Sequence, residues 1–215
     1  MMKNVYVTKR IVFDSNRVSR KDYSRKISIV EFGIFSSKKK AEQRILDCVK
    51  EFKDSDEKLF GFFVEERPVD YDLTSKVGTW ETTVSSEWSY LADGTPFSYS
   101  PFSSDWNVVQ YMGTNPDAIK FKENDLAWMV YGHDTILPVK VVYPPYTTDE
   151  WKKKFVNNDG KVFASDISDD CYLIMTAKRG HMHPLVTLLF PFDGNLPNDI
   201  LKEIDDQIKN SEGPI

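Results

Sequence analysis

The polar and apolar positions of this chain change period several times, and each change predicts an element. Residues 4–14 (NVYVTKRIVFD) alternate: Val5, Val7 and Lys9 fall on one face, Tyr6, Thr8 and Arg10 on the other, which predicts a strand. Residues 15–26 (SNRVSRKDYSRK) are polar and basic with little apolar periodicity, and read as a long, mobile hairpin tip. Residues 27–35 (ISIVEFGIF) read as the returning strand. Ser36 and Ser37 then offer N-caps, and Ala41, Ile45, Cys48, Val49 and Phe52 form one stripe at helical spacing, predicting a helix over about 37–53. Residues 58–66 (KLFGFFVEE) supply a third strand.

The stretch 68–79 (PVDYDLTSKVGT), with Pro68 and Gly78, reads as a loop or linker. Beyond it the pattern is mostly that of strands. Residues 80–90 alternate, Asp93-Gly94 marks a tight turn, and Phe97 and Tyr99 continue the returning strand. Residues 100–118 read as loop with one short helical turn. Residues 126–131 and 136–143 form a hairpin pattern, in which Pro138 calls for an edge position or a bulge. A short helix is expected near 148–156, and two nearly all-apolar strands near 171–177 and 185–191. A closing helix carries its stripe on Ile200, Leu201, Ile204 and Ile208. The expected fold is therefore α+β: a ββαβ module over 1–67, then a mostly-β, small-barrel-like domain over 80–215 with two helices.

Two stretches carry a resemblance. The run GIFSSKKKAEQRI (Gly33 to Ile45) between strand and helix resembles a small module of bacterial proteins, in which a strand ending in G-x-F-S-S leads into a Lys/Ala/Glu-rich helix. It covers about residues 4–67, implies a bacterial or phage origin, and implies no catalysis. The hairpin pattern within residues 119–143 resembles the first hairpin of SH3-like small barrels.

Composition sharpens this picture in two ways. Aromatic residues make up 13% of the 215 residues, enough to build a core, which a disordered chain lacks. The net charge of −5 conceals a split. Residues 1–53 hold 14 Lys and Arg against 6 Asp and Glu, a balance of +8, and the rest hold 14 against 27, a balance of −13. Such a split points either to a nucleic-acid or acidic-partner surface at one end, or to attraction between the two parts, within one molecule or across a dimer. There is no signal-peptide-like start, no apolar run of roughly 18 residues, and only two cysteines, Cys48 and Cys171. These features point to a soluble protein of the cytoplasm with reduced, buried thiols.

Candidate chemistry is sparse. No phosphate-binding Gly-rich loop and no G-x-S-x-G occur. His181 and His183 point the same way on an extended segment, and with His133 they could hold the metal ion of a hydrolase; apart from such a metal no cofactor is expected. The acidic loop Asp166, Asp169, Asp170 lacks the register of a calcium loop. Arg17, Arg20, Lys21, Arg25 and Lys26, with Tyr23 among them, form a basic patch at the hairpin tip. Cations around an aromatic ring suit a protein partner and, less well for an acidic chain, a nucleic acid. The aromatic set Trp80, Trp88, Tyr90, Phe97, Tyr99, Phe102 and Trp106 is expected in the core. The reading that emerges is a non-catalytic accessory protein that binds a protein partner or itself. A His-centred metalloenzyme and a nucleic-acid binder are the alternatives, and no membrane is involved.

Overall fold

The alternation of the first residues is realised in β1 (Asn4–Val18): Tyr6 and Arg10 turn toward a helix, and Val7 and Ile11 are buried on the opposite face. The structure is a computed structural model and describes residues 4–55, 58–69, 83–105, 108–111, 121–132, 134–144, 172–182, 184 and 188–211. Among these, strands predominate and two helices are present, a mixed α+β class. The chain packs as two compact units, one of residues 1–14 and 27–118, the other of residues 15–26 and 119–215.

In the first unit β1 is followed by β2 (Arg25–Phe35), α1 (Lys38–Phe52), β3 (Leu59–Pro68), β4 (Thr83–Leu91), β5 (Pro96–Asp105) and β6 (Val108–Tyr111). The strand order is β2-β1-β3-β4-β5-β6, and the pairings from β1 to β6 are antiparallel. Ser37 caps α1, its hydroxyl accepting from the amide of Lys40. Ala41, Ile45 and Cys48 are driven onto the sheet against Phe62, Val64 and Tyr90. Gly33, the glycine of the G-x-F-S-S run, lies under the Phe35 ring, where a Cβ would come within 2.4 Å of that ring. The Asp93-Gly94 turn forms as expected: Gly94 has φ of +83°, and the Asp93 carboxylate accepts from the Thr95 amide at 2.9 Å.

The division expected at 68–79 does not coincide with these units. β3 runs to Pro68 and pairs with β4 over Gly61–Glu66, so one sheet takes up both flanks of that stretch, of which 70–82 lie outside the described residues. The loop expected over 100–118 is also partly strand. The Ser-rich end of β5 finds a pairing partner in β6, four residues too short to announce itself.

The second unit holds β7 (Leu126–Tyr131), β8 (Thr135–Tyr143), β9 (Leu173–Thr176), β10 (Gly180–Met182), β11 (Leu189–Pro191) and α2 (Asn198–Ser211). The order is β11-β7-β8-β9-β10, an open sheet among the described residues, where the sequence led to a small barrel or a curled sheet. Pro138 fits the middle of this sheet for a local reason. One edge of β8 is continuously paired to β7, while the other is taken by Arg25 and Lys26 at residues 135–136 and by β9 at 140–143. The proline, which has no N–H to give, sits in the gap. β9 is buried throughout, as its apolar run requires. α2 lays Ile200 and Ile204 on Met175 and Ala177, and Lys140 pairs with Asp205 at 2.7 Å. No described helix is long and apolar enough to cross a membrane. The short helix expected near 148–156, and Cys171, lie outside the described residues.

Candidate binding surface at the hairpin tip

The tip of the β1–β2 hairpin, read as mobile from its composition, is an ordered part of the second unit. Its turn is closed by the Ser19 amide on the Ser24 carbonyl at 2.8 Å and the Tyr23 amide on the Ser19 carbonyl at 3.0 Å. The Ser24 amide and hydroxyl both donate to the Asp22 carboxylate, at 3.2 and 2.7 Å. Burial alone would push the Asp22 carboxyl up. Hydrogen bonds from Ser19 and Ser24, with the nearby Arg179 guanidinium, outweigh that and hold it below the usual carboxylate range.

Tyr23 adopts a left-handed backbone, φ 58°, an uncommon conformation for a residue with a Cβ. Its ring explains the choice. It stacks on Trp128 at 6.1 Å and 10° and packs against the cluster around Met175, Ala177 and Ile204. Trp128 is itself fixed, its indole N–H donating to Asp193 at 3.0 Å. Lys26 is tied to the Asp134 carboxylate and donates to the Thr135 hydroxyl at 3.1 Å. Backbone pairing of Arg25 with Ile136 and Lys26 with Thr135 completes the anchorage.

The six residues expected to form one patch thus divide. Tyr23 and Lys26 are engaged in holding the tip in place and Arg25 is half-buried, whereas Arg17, Arg20 and Lys21 are exposed. Arg20 also lines an open groove of about 300 Å³, together with Val18, Ser19, Tyr23, Pro197, Asp199 and Ile200. Pro197 immediately precedes α2 and Asp199 lies in its first turn. The sequence places a helix there, but nothing local says that it meets a hairpin tip some 180 residues earlier. The charged residues lining the groove are one cation, Arg20, and one carboxylate, Asp199. Because one face of Tyr23 is covered by Trp128, the ring is not the open stacking platform that the sequence suggested for a nucleic acid.

The other expected sites divide in a different manner. His181 lies on β10, exposed and opposite Met175, whereas His133 and His183 lie outside the described residues, as do Asp166, Asp169 and Asp170. No cluster of three metal-ligating side chains occurs among the described residues. Of the aromatic set, Tyr90 and Phe97 are buried and Trp88 is half-buried, with the Lys38 ammonium 5.1 Å above its ring. Trp80, Trp106 and the side chains of Tyr99 and Phe102 lie outside the described residues. Tyr90 donates to Glu42 at 3.0 Å, and burial beside that carboxylate raises its pKa strongly, so it serves as a structural hydroxyl.

An ion network went unforeseen. Glu65 on β3 accepts from Lys9 at 2.6 Å and from both the Nε and an Nη of Arg67 at 2.8 and 2.9 Å, and Arg67 reaches Glu31 at 2.9 Å. Burial raises the Glu65 pKa, and the hydrogen bonds from Arg67 and Lys9 more than reverse it, leaving the group below its ordinary value. No protein-family model, curated protein or solved structure gives a significant match to the chain, so its surface is read from its own chemistry.

Proposed function

We propose that this chain is a non-catalytic accessory protein that captures an acidic segment of a protein partner at the hairpin tip of its second unit. The observation that carries the reading is the groove beside Arg20. Its lining is largely apolar (Val18, Tyr23, Pro197 and Ile200) with Ser19, Arg20 and Asp199, Tyr23 is held by its stack on Trp128, and Lys21 stands exposed next to Arg20 in the chain. An apolar anchor set among carboxylates would be held by burial of the anchor, while the cations speed encounter and reject basic sequences. The resemblance of Gly33 to Ile45 to a bacterial module of no catalytic activity supports the same class, and a bacterial or phage source.

The test is a selection of random 12-residue peptides displayed on phage against the full chain, followed by titration of the best peptide. The expected winners carry one Leu, Ile or Phe among several Asp and Glu. Binding to the Arg20→Glu/Lys21→Glu variant should fall at least tenfold and should weaken as salt rises. Enrichment of basic peptides, or an affinity unchanged in that variant, refutes the reading. Steeply salt-dependent binding of a single-stranded oligonucleotide, with no peptide selected, would assign the tip to nucleic acid instead.

A further inference from the structure

No further inference is drawn: the strongest candidate, the open groove beside the start of α2 lined by Arg20, Tyr23 and Asp199, belongs to the binding surface already described.

Discussion

Replacing Glu65 by Gln tests whether the half-buried ion network holds the first unit together. The side chain is 20% exposed and accepts three charge-assisted hydrogen bonds, one from Lys9 and two from Arg67, which are themselves 21% and 40% exposed. An exposed pair is worth about 0.2–1 kcal/mol, and breaking a fully buried one costs about 3–5 kcal/mol because a charge is stranded. Glu65 lies between these limits. Glutamine keeps the shape but can no longer satisfy two cations, so a loss of about 2 kcal/mol is expected. With a urea m-value of about 2 kcal/mol/M, the unfolding midpoint of the first unit drops by about 1 M.

The pH dependence gives the sharper result. The folded pKa of Glu65 is depressed, so its contribution is complete above the unfolded carboxylate value of about 4.3 and is lost as pH falls through the folded value. The gap between wild type and Glu65→Gln should hold from pH 7 to about pH 5 and close below pH 4. A Lys9→Met variant should lose part of the same energy, and the double variant should lose less than the sum. A gap that stays constant from pH 7 to pH 3 would refute the electrostatic account. So would a gap under about 0.5 kcal/mol at pH 7, which is the yield of an exposed pair.

Gly94→Ala should destabilise the first unit by about 1–2 kcal/mol in urea unfolding, because φ is +83° and the new Cβ would stand 3.1 Å from Leu46. Ser37→Ala should cost about 1 kcal/mol through loss of the α1 cap, whereas Ser37→Gly should cost only a few tenths, and circular dichroism during denaturation separates them. In a Cys171→Ser background the Cys48 thiol, which is fully buried and whose pKa burial pushes up, should react with a disulfide reagent only as fast as the first unit opens. A rapid stoichiometric reaction in native buffer would contradict that burial.

What the sequence made legible was local. The stripe from Ala41 to Phe52 predicts α1 to within a residue because helical burial repeats at short spacing, and the Asp93-Gly94 turn follows from the φ that glycine permits. What it hid depends on partners far along the chain. Nothing in SNRVSRKDYSRK announces order, since that order comes from Trp128, more than 100 residues away, and from pairing with β8. β10 is three residues long and β6 four, too short for periodicity to register. The Glu65 network is equally non-local: within FVEERP nothing distinguishes the glutamate that faces Lys9 from its neighbour Glu66, which accepts from Asn4 and Tyr6 instead.

The charge split now has a physical interpretation. Of the cations crowded into residues 1–53, Lys9 is engaged by Glu65 and Lys26 by Asp134, both acids from the negative remainder of the chain. Lys38, Arg44 and Lys50 find Glu42, Glu51 and Asp47 on their own helix. Attraction between the basic and acidic parts of one molecule therefore accounts for a share of the asymmetry without any partner. Of the remaining cations, Arg20 and Lys21 are exposed at the hairpin tip, where Arg20 lines the groove, and Lys39, Lys40 and Lys53 are exposed on or just beyond α1. Holding a tyrosine in a left-handed conformation costs on the order of 1 kcal/mol, and the stack of its ring on Trp128, with its packing against the cluster around Met175 and Ile204, offsets that cost within the second unit.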